Sequence, residues 1–387
     1  MGVQDAAPGA AAYQAPFSLP PAWYADPEIY RRETESVFYG SWRLAAHHSE
    51  LAKPGDFVTV DFCHESLLVV RDGDGVLRGF YNVCQHRGHR LIGPRRGNLK
   101  TVMICPYHAW TYNLDGGLRS APNSDNVAGF DPRRIRLRAV NVDECGGFVW
   151  ANTDLDADPV DAFAPGLHEA LRRYVPDLDD AVLFDGDLSP QAYNWKAMID
   201  NILDVYHVPY SGPAHQQLMA SMKFEDFIRE VHDNWVMIYA PTGDPEPGGY
   251  PLDLAKSRGE IDGTFFVWIY PNAFISSLPV TRSFYIYNTV PIGPETTGID
   301  YAYYCHPTVR DEPVTREAMD WLNNAVSEED NHQASGVHAG NKSRGFTGAH
   351  FMVDSQGGKL SEHPGAAFHR RIYAAVAGSP AEDMASP

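Results

Sequence analysis

The sequence is short of cysteine, short of positive charge, and without any long apolar run. Its five cysteines, Cys63, Cys84, Cys105, Cys145 and Cys305, are an odd and scattered set. They are poor material for a disulfide framework and fit a reducing compartment. Lys and Arg number 31 against 50 Asp and Glu, a net charge of −19. That balance argues against nucleic acid or an anionic membrane surface as a partner and favours solubility. The longest apolar stretches, such as Phe265 to Tyr270, are only a few residues, far short of the roughly 20 needed to span a bilayer as a helix. Residues 1–17 are rich in Ala, Gly and Pro and contain no Lys or Arg. A secretory signal needs a basic start and an apolar core, so the expectation is a loose tail on a cytoplasmic protein. No internal repeat and no low-complexity segment beyond the two tails is visible.

What is present is an ordinary globular composition, 44% hydrophobic and 12% aromatic over 387 residues, long enough for two domains. From about residue 41 to 155, short β-like runs (Phe57–Val60, Leu67–Arg71, Arg78–Val83, Val102–Cys105, Gly147–Ala151) alternate with turn signals at residues 72–75 and 115–117. This reads as an all-β domain. An acidic, Pro-containing linker follows Thr153. Helical stretches then interleave with long aromatic strands, Thr264–Tyr270, Arg282–Val290 and Tyr301–His306, as in an antiparallel sheet with one face covered. The expected class is α+β, in three parts: residues 1–40 as a tail and helical segment packing on the last domain, 41–155 as the β domain, and 156–387 as a domain of helices on an antiparallel sheet.

Cys63 and Cys305 each adjoin a histidine, but in strand-like runs, where neighbouring side chains point to opposite faces. Cys84 and Cys105 have a histidine two or three residues on, beside turns. Cys84-Gln85-His86 is followed, after eighteen residues, by Cys105-Pro106-Tyr107-His108. Two thiolates and two imidazoles suit zinc or an iron–sulfur cluster. A zinc finger pairs like ligands, two Cys and then two His. Here each loop is mixed, which is what a Rieske centre needs, both cysteines holding one iron and both histidines the other. Two ferric ions, two sulfides and two thiolates sum to zero charge, so such a cluster accepts an electron more readily than its four-cysteine counterpart.

The stretches Cys84-Gln85-His86-Arg87-Gly88 and Cys105-Pro106-Tyr107-His108-Ala109-Trp110 resemble the two cluster loops of the Rieske non-haem iron oxygenase α-subunits, and the resemblance extends from about Trp23 onward. The gap between the loops is at or slightly beyond the usual length, which points to a longer turn around Pro94–Asn98.

A second constellation lies downstream. Apolar residues at 195, 198, 199, 202, 205 and 206 form a helical stripe, and Asp204 and His207, three apart, fall together on another side of that helix. In isolation such a pair faces water. The string from Asn201 through Asp204 and His207 to Pro209, however, is similar to the family's iron-site helix. Pro209 is expected to end the helix, and the loop 210–214 to deliver His215. The family's second histidine usually follows after about four residues. Here seven intervene, and position 212, where the usual spacing would put it, is glycine; a Ser-Gly-Pro insertion accounts for the wider loop.

Two histidines and one carboxylate form the facial triad of non-haem iron(II) oxygenases. Residues 318, 321, 322, 325 and 326 mark a helical apolar face running into Glu328-Glu329-Asp330. A straight continuation centres Glu329 on that face, whereas the resemblance selects Asp330. Asp330 is taken as the ligand, with Glu329 as runner-up and a solvated acidic run as the plain alternative.

The resemblance implies the chemistry. A ferredoxin or flavin reductase passes electrons from a nicotinamide cofactor to the [2Fe–2S] cluster of Cys84, His86, Cys105 and His108. The cluster passes them to the iron of His207, His215 and Asp330, where O2 is activated. Asp204 is not a ligand but links a cluster histidine, His108 of a neighbouring subunit, to an iron histidine, which implies a cyclic homotrimer. Asn201 is expected near the iron. A separate small β-subunit is left open, as are dihydroxylation, monohydroxylation and demethylation. Phe224, Phe265, Phe266, Trp268 and Phe274 are candidates for a wall suited to an aromatic ring or a quaternary ammonium, or for core. The rival readings are an electron carrier with an accessory ligand-binding domain and a zinc-stabilised module.

Overall fold

The computed structural model describes residues 17–243, 263–279 and 281–377; the tail expected over residues 1–17 lies, up to residue 16, outside them. After a 3-10 turn at Pro21–Tyr24 comes a short α-helix, α1 (Pro27–Glu33). Its start is set by Pro27 at the first helical position and by Asp26, whose carboxylate accepts from Glu28 N–H.

Ten strands follow: β1 (Arg43–His47), β2 (Asp56–Phe62), β3 (Glu65–Arg71), β4 (Leu77–Tyr81), β5 (Arg96–Asn98), β6 (Val102–Ile104), β7 (Thr111–Asn113), β8 (Leu118–Ser120), β9 (Ala139–Cys145) and β10 (Phe148–Asn152). Among the described residues they make a seven-stranded antiparallel sheet, ordered β1-β10-β9-β4-β3-β2-β5, and a small sheet β6-β7-β8. The longer turn expected around residues 94–98 is in part a strand: Arg96, Gly97 and Asn98 pair with β2. Cys63 departs from the strand-like reading, standing in the β2–β3 turn with φ near +49°.

Beyond α2 (Val160–Phe163) and α3 (Leu167–Tyr174), a second antiparallel sheet is built from β11 (Val182–Gln191), β12 (Ile228–Val231), β13 (Trp235–Pro241), β14 (Gly263–Ile269), β15 (Ala273–Ser277), β16 (Ser283–Gly293) and β17 (Thr296–Cys305). Its order is β11-β17-β16-β15-β14-β13-β12. The helices that matter for function are α4 (Trp195–Leu203), α5 (Pro213–Ala220), α6 (Pro313–Trp321), α7 (Ser327–Asn341) and α8 (His363–Ala377).

Alternation along these strands sends successive side chains to two different cores. Trp268 and Val290 join Trp195, Ile199, Phe368 and Ile372 on one side. Phe265, Ile275 and Phe284 pack with Leu167, Leu171 and Trp150 on the other. The first cluster also takes in Val58, Val60, Leu67 and Val69 of the first sheet, so the two sheets share apolar packing. Arg95 pairs with Asp300, and Arg96 lies 3.1 Å from Glu50, which also accepts from Tyr304 OH. On the N-terminal segment, buried Glu33 holds Lys196 of α4 at 2.6 Å and accepts from the Trp195 indole N–H.

Candidate metal centres

The loops after β4 and β6 fold as twins. Gly88 N–H donates to Cys84 O, and Cys84 N–H to His89 O; correspondingly, Ala109 N–H donates to Cys105 O, and Cys105 N–H to Trp110 O. Both tight turns need a left-handed residue four after the cysteine, supplied by Gly88 (φ +72°) and Ala109 (φ +55°). Cys84 and Cys105 are buried against Met103, Leu91 and Tyr112. His86 is exposed and His108 partly so, their rings 4.6 Å apart and nearly perpendicular. Trp110 stacks on His86 at 4.8 Å. Tyr112 OH lies 3.3 Å from Cys84 Sγ and accepts from Gln85 N–H. Burial pushes the Cys84 thiol up, so an uncompensated thiolate is disfavoured there and a bound cation would stabilise it. Paired sulfurs inside and paired imidazoles at the surface fit a [2Fe–2S] cluster.

The second group is assembled by α4, α5 and α7, and here the structure corrects the sequence reading. Helix α4 ends at Leu203, not Tyr206. Asp204 is its extended C-terminal cap, and the Asp204 carboxylate accepts from Tyr206 N–H at 2.6 Å and His207 N–H at 3.3 Å. A short acidic side chain that bonds the following backbone favours a turn over continued helix. Asp204 and His207 therefore share a turn rather than a helix face, and His207 Nδ1 lies 3.2 Å from Asp204 Oδ2. His215 sits inside α5, not at a loop end.

His207, His215 and Asp330 converge, their potential ligand atoms all within 4.8 Å of one another. Asp330 Oδ1 is 3.0 Å from His215 Nε2 and 3.7 Å from His207 Nε2. It is buried and, among the described residues, has no well-angled hydrogen bond. Glu329 points elsewhere, to His215 Nδ1 at 2.7 Å. Burial works against a charged His207, but the Asp204 and Asp330 carboxylates beside it outweigh that and lift it to about 9. His215 is raised in the same way, against burial, by Asp330 and Glu329. Burial would raise the Asp330 carboxyl, yet the two histidines hold it below the usual range. An unsatisfied buried carboxylate oxygen facing two imidazoles, each with a second carboxylate near Nδ1, fits a divalent metal held by two histidines and one carboxylate.

The geometry separates Asp330 from Glu329 through a feature invisible in the apolar spacing. Between α6 and α7, residues Leu322–Val326 form a π turn. Such a turn takes up one residue more than an α turn and advances the following face by one position. The place that a straight helix gives to Glu329 goes to Asp330.

Asn201 lies on the wall of the cavity beside these residues. Its side-chain amide donates to Gln333 Oε1 (2.9 Å), Gln333 Nε2 donates to Ser211 Oγ (2.8 Å), and Ser211 Oγ donates to His207 O (2.9 Å). Sequence reasoning missed Gln333; its one signal is the three-residue spacing from Asp330. The cavity is walled by Phe227, Phe266, Phe274, Tyr285 and Tyr287 among others, and by His207, His215 and Asp330. Of the five aromatic candidates, Phe224, Phe266 and Phe274 line it; Phe265 and Trp268 are core.

Residues 41–131 match the Rieske [2Fe-2S] domain, and residues 169–378 match the ring hydroxylating alpha subunit (catalytic domain). The carnitine monooxygenase oxygenase subunit of Escherichia coli (strain K12) is 35% identical over 362 residues, covering 93% of this chain and 94% of that protein. The chain belongs to the Rieske oxygenases. As such it is an oxidoreductase and the terminal component of an oxygenase system, with a [2Fe–2S] cluster in its first domain and a mononuclear iron in its catalytic domain. The chloroplastic choline monooxygenase of Beta vulgaris is 27% identical, covering 88% of this oxygenase and 74% of the relative. A solved quaternary ammonium Rieske monooxygenase aligns with a TM-score of 0.83 at 32% identity, over 94% of this chain and 96% of that one. A naphthalene 1,2-dioxygenase aligns at 0.76 and 21% identity over 95% and 94%, a likeness of fold alone. The described residues contain no helix long and apolar enough to cross a membrane.

Proposed function

We propose that this oxygenase is the terminal component of a monooxygenase acting on a small quaternary ammonium compound. Cys84, His86, Cys105 and His108 hold the cluster, and His207, His215 and Asp330 hold the iron. A bound iron at the triad would supply O2 activation; the protein's residues do the rest. Glu329 holds the His215 imidazole by Nδ1, and the Asp204 carboxylate stands 3.2 Å from His207 Nδ1, so that both Nε2 atoms face Asp330. Asn201, tied through Gln333, fixes the wall beside it.

The observation that carries the substrate class is the aromatic cavity directly over the triad. Phe227, Phe266, Phe274, Tyr285 and Tyr287 line a space that would admit a trimethylammonium group. Such a cation is attracted to ring quadrupoles by about 0.5–2 kcal/mol per ring and needs no hydrogen bond. Relatives similar over most of the chain carry carnitine and choline in their names, which favours this class over aromatic hydrocarbons. The reaction is insertion of one oxygen atom into a C–H bond, the second leaving as water with two electrons and two protons. A ferredoxin or flavin reductase delivers the electrons.

Asp204 is partly exposed, with Tyr206 and Tyr210 at the surface beside it. This supports a docking face for the cluster tip of a neighbouring copy, whose His108 would bond Asp204. Closed three-fold symmetry with one such contact per junction satisfies every chain. The reading carries with it the three-part division at residues 40 and 155 and a cytoplasmic setting.

The test is turnover of the iron-loaded enzyme with reductase and NADH, offering carnitine, choline, glycine betaine, naphthalene and toluene. Expected is substrate-dependent O2 uptake, with an oxidised product, for at least one quaternary ammonium compound and none of the hydrocarbons. O2 consumption coupled to a hydrocarbon alone would overturn the substrate class.

A further inference from the structure

We infer that Glu329 and Gly212 together form a positioning device for His215, one that makes the long His207–His215 connection competent to hold metal. The inference rests on the reading of His215 as an iron ligand.

A connection with seven intervening residues is long enough to leave the second imidazole free to wander. Here it is not left free. Residues 207–211 close a turn, with Tyr210 N–H and Ser211 N–H both donating to His207 O. Helix α5 then begins at Pro213, and the Glu329 carboxylate sits at its N-terminus. Ala214 N–H donates to Glu329 Oε1 at 3.0 Å and His215 N–H to Oε2 at 3.1 Å. These are two of the amides that this helix start, with Pro213 in its first position, leaves unpaired, and a carboxylate there also meets the positive end of the helix dipole. The residue at the N-cap, Gly212, has no side chain to do this work. The same Oε2 reaches His215 Nδ1 at 2.7 Å. One carboxylate therefore fixes the backbone start of α5, the tautomer of His215 and the direction of its Nε2.

Gly212 is the complement. Its backbone, φ −63° and ψ −179°, suits any residue, so glycine is not required by conformation. It is required by space: a Cβ there would overlap the Glu329 carboxylate, Oε1 first. Glycine at the position where the usual spacing would place the ligand is what admits the carboxylate that positions the actual one. Glu329 is a positioning residue, acting on the site through His215.

Anaerobic equilibrium dialysis of Fe(II) against enzyme that retains its cluster but has been stripped of mononuclear iron reads this directly. Glu329→Ala should weaken Fe(II) binding about 10- to 100-fold, the range for losing a carboxylate behind a metal-bound histidine. Glu329→Gln, which keeps an oxygen acceptor, should recover part of that loss. Gly212→Ala should weaken binding comparably in the native background and by less than about twofold in the Glu329→Ala background, since its harm runs through the carboxylate. That non-additivity is not expected of two unrelated structural defects. An unchanged cluster spectrum checks folding, and Glu329→Gln carries the test if Glu329→Ala does not fold. Fe(II) affinity within twofold of wild type in both Glu329 variants, with affinity lost in His215→Ala, would overturn the inference. Full affinity in His215→Ala would instead overturn the ligand reading beneath it.

Discussion

Asp330→Ala, His207→Ala and His215→Ala are each expected to remove the mononuclear iron and abolish turnover while leaving the visible spectrum of the cluster intact. The two centres are built from separate parts of the chain, so their losses separate. The cysteines sit in the core around Met103 and Tyr112, whereas the triad lies between α4, α5 and α7. Asp330→Ala removes a half-buried carboxylate that two raised histidines depend on. With it gone, burial penalises any charge left in the pocket. The contrast with Glu329→Ala is the discriminating one. At saturating Fe(II) the Glu329 variant refills, because the three ligand atoms remain, and the Asp330 variant does not. Iron assay after anaerobic loading measures it. An Asp330→Ala enzyme with full iron and normal turnover would mean that the carboxylate has been misassigned.

The second large effect concerns the route of electrons. His108→Ala and Asp204→Ala should each be inactive alone, and co-expressed in equal amounts they should recover about a quarter of wild-type activity. In a closed three-fold ring each subunit donates to one neighbour and accepts from the other. Random mixing puts both variants in about three quarters of the rings. Each such ring has one junction of three where an intact cluster faces an intact Asp204 site, and the product is roughly one quarter. Transfer within a chain would give none, since every chain carries a defect. No recovery, with mixed rings confirmed by differential tagging, would contradict transfer between subunits.

How far the sequence carried these assignments depends on how local each feature is. The cluster loops were legible because each is a short turn whose hydrogen bonds close within six residues. His207 was legible for the same reason, although its helix was read three residues too long: apolar spacing at 205 and 206 continues the helical period, and the competing bonds from the Asp204 carboxylate to Tyr206 and His207 amides do not show in a periodicity. The choice between Glu329 and Asp330 could not be made from spacing, because the π turn at Leu322–Val326 shifts the face by one and has no signature in the apolar pattern. Only the family resemblance picked the residue that the structure sets beside both histidines. Gly212 looked like a defect in a motif. Its reason is a carboxylate more than a hundred residues away, contact that only the tertiary fold creates. Gln333 was illegible on the same grounds. The aromatic candidates divided as alternation predicts for neighbours: Phe266 faces the cavity and Phe265 the opposite core, a difference that strand register fixes and composition does not.

The central claim is that one chain carries both a Rieske cluster and a separate iron site. Its most direct test is the iron, zinc and acid-labile sulfide content of the purified protein after anaerobic loading with Fe(II). One cluster plus one triad iron predicts a red-brown protein with about three irons and two sulfides per chain. Two irons and two sulfides that no loading can raise would contradict the catalytic site and leave an electron carrier; a colourless protein with zinc and no sulfide would contradict the cluster itself.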